Sequence, residues 1–144
     1  AAADVADVEE IIHPCGFFRS KARDIVACAG KLLSDYDGKL PDTVEELVKL
    51  PGVGRKTANL IVGDVFHKPA IVTDTHCIRI SNRLGLCHVK EPVKVERALR
   101  EIIPPEKGSD FCHRLVLFGR DICTARAPQC GNCPLAALCA ERAN

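Results

Sequence analysis

No apolar run in this 144-residue chain approaches the length of a membrane-spanning helix, so no membrane partner is expected. The opening residues, AAADVADVEE, are acidic and weakly apolar and do not read as a secretory leader with a basic start and an apolar stretch, so none is expected. No repeat recurs and no low-complexity linker divides the chain, which removes solenoids and flexible tethers from consideration. An excess of charge is missing too: 20 Lys and Arg against 19 Asp and Glu leave a net charge of +1, which alone argues neither for nor against a nucleic-acid partner. The last absence is an even set of cysteines. There are nine, five of them scattered (Cys15, Cys28, Cys77, Cys87, Cys112) and four crowded between positions 123 and 139. Such a set argues against a secreted disulfide framework and suits a reducing, intracellular compartment with one metal site. The scattered five are expected to be small buried residues.

What is present is a chain apolar enough, at 47%, to fill the core of one domain or of two small lobes. Its charge is uneven. Residues 1–50 hold 6 Lys/Arg against 10 Asp/Glu, and residues 51–144 hold 14 against 9; the basic second part fits a polyanion partner on one face and equally a solvated surface. The periodicity predicts an all-α fold. VADVEEIIHPC predicts a short helix ending at Pro14. RSKARDIVACAGKLLSDY carries Ile25, Val26, Leu32 and Leu33 as an apolar stripe, with Ser20 as its N-cap. In TVEELVKL, Thr43 and Glu46 predict a capping box. RKTANLIVGDVF, THCIRISNRLGL, VKVERALREII and GSDFCHRLVLFGRDIC predict the remaining helices, and the AIVT run among them is too isolated to make a sheet.

The stretch LPGVGRKTAN joins two of these helices through a tight turn. Gly52 and Gly54 allow backbone conformations closed to other residues and let the main chain approach a partner closely. The first amides of the following helix have no internal partner, and with the helix dipole they form an anion site suited to phosphate. Arg55 adds charge there. A plain helix–helix corner with glycines for packing is the alternative. Leu47 and Leu50 before the turn and Ala58 and Ile61 after it make the fuller pattern of a helix-hairpin-helix, over about residues 43–67. Lys56 stands in the first turn, where the dipole disfavours a cation. Two roles fit it: a phosphate contact, or an amine nucleophile. Asp74, in VTDTH, is an N-cap by position and a candidate carboxylate partner for such a lysine.

The four crowded cysteines, Cys123, Cys130, Cys133 and Cys139, have the spacing C-x6-C-x2-C-x5-C. Four thiolates in one short loop bind metal. Paired close-spaced knuckles would favour zinc, and here there is one C-x2-C; the spacing is not that of bacterial ferredoxins either.

LPGVGRKTAN, VTDTH and the cysteine spacing together, in that order, resemble the endonuclease III family of base-excision DNA glycosylases, from about CGFFRSKA to Cys139. The resemblance implies a partial six-helix barrel lobe with the helix-hairpin-helix over residues 1–70, and a helical lobe ending in a cluster loop, 123–139, over residues 71–144. It implies a 4Fe–4S cluster on the four cysteines. It implies Lys56 as the nucleophile that attacks the sugar of a damaged nucleotide and forms a Schiff base, and Asp74 as the carboxylate that assists it and offsets positive charge on the sugar. Relatives specific for adenine lack a lysine at that position, so Lys56 favours the bifunctional glycosylase and abasic-site lyase branch, acting on oxidised pyrimidines in duplex DNA. Gly52, Val53, Gly54, Arg55 and Thr57 become DNA contacts, and Phe17 becomes the wedge that fills the space of an extruded base, with a core position as its alternative. Arg126, the only cation of the TARAPQ loop, is implied to touch phosphate. The expected protein is a monomer with DNA as its partner. A relative acting on mismatched thymine or alkylated bases, a DNA-binding module without chemistry, and a cluster-bearing redox sensor are the other readings. Relatives begin well before the residue matching Ala1, in a segment that helps form the lesion pocket, and the expectation is that the chain standing alone is poorly soluble or partly unfolded around residues 1–50.

Overall fold

The computed structural model describes residues 1–142 of the chain. Among the described residues there are helices and no strand, in agreement with the all-α expectation. They fall into two compact units, Ala1–Ala58 and Asn59 onward.

In the first unit, α1 (Val5–Ile11) starts where the Asp4 carboxylate accepts the Ala6 N–H at 2.9 Å, and it stops ahead of Pro14. Helix α2 (Phe18–Tyr36) begins earlier than expected. Ser20 is not its cap. The capping residue is Phe17, held in the left-handed region at φ 59°, and its carbonyl accepts the Lys21 N–H at 3.1 Å. The chain between Pro14 and Gly16 reverses so sharply that helix geometry is entered before any capping side chain is reached. The rings of His13 and Phe18 pack across this corner, 4.6 Å between centroids. The expected apolar stripe of α2 is only partly covered: Ile25 is 50% and Leu33 62% exposed, and of this helix Ala22 is buried. Residues of α2 and of the Pro51–Val53 turn line an apolar cavity of about 410 Å³ along that face.

Helix α3 (Val44–Leu47) is one turn long. Thr43 accepts the Glu46 N–H as the capping box requires, at 3.4 Å. The Glu46 carboxylate, however, takes the Tyr36 hydroxyl (2.9 Å) and the Lys49 ammonium. It ties α3 back to the end of α2 and holds its own ionisation below the usual carboxylate range, through Lys49 first and Tyr36 second. Leu47 and Leu50 are buried under the turn that follows.

Helix α4 (Arg55–Asp64) begins in the first unit and ends in the second. The second unit continues with α5 (Thr75–Leu84), α6 (Pro92–Ile102) and α7 (Gly108–Asp121). Its core joins Ile71, Val72, Cys77, Ile80, Cys87, Val95, Leu99, Cys112 and Leu115. The AIVT run is buried but makes no sheet; lacking a strand partner, the Val72 N–H donates to Sγ of Cys112 at 3.2 Å. Helices α5 and α7 pack closely because Gly119 has no side chain: a β-carbon there would lie 2.4 Å from Nδ1 of His76 and 2.8 Å from Cδ1 of Ile80. Cys77 of α5 and Cys112 of α7 share a hydrogen bond, which with burial pushes the Cys77 thiol far above its ordinary range; the same bond lowers that of Cys112, against the effect of its burial. Of the scattered cysteines, Cys77, Cys87 and Cys112 are buried as expected and Cys28 is half-buried, but Cys15 lies exposed in the turn between α1 and α2. No helix among the described residues is long and apolar enough to cross a membrane.

Candidate active site and metal centre

The turn that begins at Leu50 is built by sequence chemistry that acts locally. The Val53 N–H donates to the Leu50 carbonyl at 3.1 Å. Gly52, between them, sits at φ 73°, a conformation that favours glycine, and a β-carbon on it would stand 2.8 Å from Cβ of Asp24 in α2. Gly54 is different. Its φ is unexceptional, and an added β-carbon would meet no protein atom within 4 Å. Neither the fold of the turn nor the packing around it calls for glycine at that position. The first bond of α4 runs from the Ala58 N–H to the Gly54 carbonyl at 2.9 Å, so the preceding amides lie ahead of the helix's own bonding. Arg55, Lys56 and Thr57 are all exposed on this first turn, and Val53 is half-buried beneath it.

Asp74 caps α5 as its position predicts. Its Oδ1 accepts the Cys77 N–H at 2.7 Å, and its own N–H donates to the Val72 carbonyl at 3.1 Å. The carboxylate is half-buried and fixed at a helix start. Lys56 belongs to the first unit and Asp74 to the second.

Phe17 is not a core residue. It is 88% exposed, on a backbone twisted to positive φ that costs an L-residue about 1–2 kcal/mol. Phe18 beside it is half-buried and packs on His13, with the Arg19 guanidinium 5.2 Å from its ring centroid.

Beyond α7 the chain winds back on itself without long helices. Gln129 fastens the loop to the end of α7, its N–H on the Ile122 carbonyl (2.9 Å) and its Nε2 on that of Asp121 (2.8 Å). Cys123, Cys130, Cys133 and Cys139 all border one cavity of about 300 Å³. Four sulfur donors around one space fit a metal centre made of soft ions. Among the described residues no three His, Cys, Asp or Glu side chains converge tightly enough for a single ion. Arg126 is exposed on the loop between the first two cysteines.

The structure adds residues that the sequence did not single out. Arg79 of α5 donates to the carbonyls of Cys123 (2.8 Å) and Gly119 (3.3 Å), and Arg83 reaches the same loop. In the core, Asn59, one turn beyond Lys56 on α4, donates to Oε2 of Glu96 at 3.1 Å. Arg100 bridges both, at 3.2 Å to Glu96 and 3.3 Å to Asn59. Glu96 is 2% exposed.

Residues 1–105 match the model of the HhH-GPD superfamily of base excision DNA repair proteins, and residues 123–139 match the iron-sulfur binding domain of endonuclease III. An endonuclease III of Synechocystis is 44% identical over 140 residues, 96% of this chain and 64% of that protein. A solved endonuclease III, trapped as a covalent intermediate with DNA in an estranged-adenine complex, superposes with a TM-score of 0.93 at 45% identity, covering 99% of this chain and 67% of that one. The structure of a thermostable thymine-DNA glycosylase gives a TM-score of 0.85 at 25% identity, covering 98% and 67%. The chain spans 64% of the length of the curated relatives it matches.

Proposed function

The chain belongs to the HhH-GPD superfamily of base excision DNA repair proteins and carries the iron–sulfur site of endonuclease III, and from this we propose that it is a bifunctional DNA glycosylase and abasic-site lyase acting on oxidised pyrimidines in duplex DNA. The observation that carries the reading is the pairing of an exposed Lys56 with a glycine, Gly54, that no protein neighbour explains. The room at Gly54 is where a DNA phosphate meets the amides that open α4, with Val53, Arg55 and Thr57 completing the grip around Gly52.

Lys56 is then held beside the sugar of the target nucleotide. Its Nζ attacks C1′ with the nitrogen lone pair; the bond to the base breaks, and the base leaves with the glycosidic electron pair and takes up a proton from water. The amine remains on C1′ as a Schiff base after the sugar ring opens. Loss of a C2′ proton then expels the 3′ phosphate by β-elimination. Asp74 receives the proton that Lys56 gives up and offsets the positive charge that grows on the sugar. The relative trapped as a covalent DNA intermediate supports a nucleophile of this kind. Phe17, exposed and on a strained backbone, fills the stack from which the damaged base is withdrawn, and Arg126 contacts phosphate. Cys123, Cys130, Cys133 and Cys139 hold a 4Fe–4S cluster, which gives the loop a rigid frame when bound. In this reading residues 1–70 represent the barrel lobe and 71–144 the cluster lobe, and the protein acts inside the cell as a monomer on DNA.

A second reading, excision of mismatched thymine, draws on the likeness to the thymine-DNA glycosylase. One experiment separates these. The purified chain is mixed with duplexes holding an abasic site, an oxidised pyrimidine or a G·T mismatch, and borohydride is added. A covalent adduct forms on the first two and is lost with Lys56→Gln. Adducts on the abasic site and the mismatch, with none on the oxidised pyrimidine, favour the second reading. Binding without any adduct reduces the protein to a DNA-binding module, and an adduct that persists in Lys56→Gln removes the lysine from its role.

A further inference from the structure

The last turn of helix α5 carries an arginine, Arg83, whose side chain lines the four-cysteine cavity and is 17% exposed. Through Nη1 it donates to the Thr124 carbonyl (2.8 Å) and to Sγ of Cys123 (3.4 Å), and through Nη2 to the Ala125 carbonyl (3.3 Å). Its Nε pairs with Glu141 at 3.3 Å. Its backbone carbonyl accepts the Glu141 N–H at 3.0 Å and the Cys139 thiol at 3.3 Å. One residue therefore grips the chain beside the first cysteine of the loop and beside the last. The Cys139 contact lasts only while that thiol keeps its proton; when the sulfur becomes a ligand, the Glu141 N–H keeps the far end tied.

The bond to Cys123 strengthens on ligation, because a thiolate is a better acceptor than a thiol for a charged donor. A cation at a ligand sulfur also stabilises the more negative, reduced state of a cluster over the oxidised one. We propose that Arg83 is a positioning residue of the cluster site: it clamps both ends of the ligand loop and, through the Cys123 sulfur, makes the bound cluster harder to oxidise and slower to lose. The inference rests on the iron–sulfur site and is independent of the lyase chemistry.

The test uses the purified, iron-loaded chain and reads the cluster itself. Ferricyanide removes one electron from the cluster and becomes ferrocyanide; a chelator collects the iron released, and the visible absorbance of the cluster fades. Arg83→Gln is expected to fade roughly tenfold faster than the unchanged chain, the scale of one lost hydrogen bond to a charged group, and to shift the reduction potential to a more negative value. Arg83→Lys keeps the charge without the forked grip on two carbonyls, so its potential stays near the original while its fading is still faster. Equal fading and equal potential in both variants overturn the proposal. Where Arg83→Gln takes up no iron, Arg83→Lys decides by the same fading rate.

Discussion

Gly52 and Asp24 stand so close that the turn between α3 and α4 can be glycine only: a β-carbon at position 52 would lie 2.8 Å from Cβ of Asp24. Gly54, two residues on, has no such neighbour. The two glycines are thus there for different reasons, and substitution tells them apart. Gly52→Ala meets positive φ and a clash and should lose about 2–4 kcal/mol of folding stability in denaturant titration. Gly54→Ala should lose less than about 1 kcal/mol, the scale of a helix-start substitution. It should nevertheless weaken binding to duplex DNA roughly tenfold, as a methyl group holds a phosphate away from the amides. Undiminished DNA binding by Gly54→Ala would make the hairpin a packing corner.

Asp74 caps α5, and the catalytic role proposed for it can be separated from that cap. Asparagine still accepts the Cys77 N–H, so Asp74→Asn should fold within about 0.5 kcal/mol of the original, yet trap abasic DNA roughly a hundredfold more slowly for want of a charge. Asp74→Ala should add a stability loss of about 1 kcal/mol. Trapping at the original rate by Asp74→Asn would leave the residue a cap and nothing more.

Glu96 is buried with Asn59 and Arg100 as its partners. Glu96→Ala takes an acceptor from both, while Arg100 still reaches Asn59, and urea unfolding should show a loss of about 1–3 kcal/mol. Glu96→Gln keeps a carbonyl for the Asn59 amide and should cost less. A loss below about 1 kcal/mol for Glu96→Ala would mean that the network is incidental.

Tyr36 is the only tyrosine and the chain has no tryptophan, so its ionisation can be read directly by absorbance. Its hydrogen bond to Glu46, with that carboxylate's charge, raises the phenol above its ordinary value near 10. A group raised on folding stabilises the fold below its unfolded value, and that contribution is lost as pH climbs through the folded one. Glu46 is the mirror case: lowered on folding, it contributes above the unfolded carboxyl value and stops contributing as pH falls through the folded one. Glu46→Gln should bring the phenol midpoint back down; an unchanged midpoint would remove Glu46 as its cause.

What could be read from the sequence was whatever acts within a few residues. The caps at Thr43 and Asp74 are local, and both are where the spacing puts them. So is the cysteine spacing, whose four side chains border one cavity. Ser20 misled because capping preference says nothing of the reversal after Pro14, which starts α2 at Phe18. The α2 stripe misled because periodicity names a face without naming what covers it. Asn59 with Glu96, and Arg83 with the cysteine loop, had no readable signal: the partners lie 37 and 40 or more positions apart, and a charged residue on a helix face looks the same whether it meets water or a carbonyl.

The separation along the chain has a consequence for assembly. The contacts of Arg83 close spans of 40, 41, 42 and 56 residues, each at an entropic cost that a nearby pairing avoids. They become favourable only once α5 and α7 lie together. The hold of Arg83 on the cysteine-bearing loop is therefore a non-local closure, made at less entropic cost once that pairing is in place.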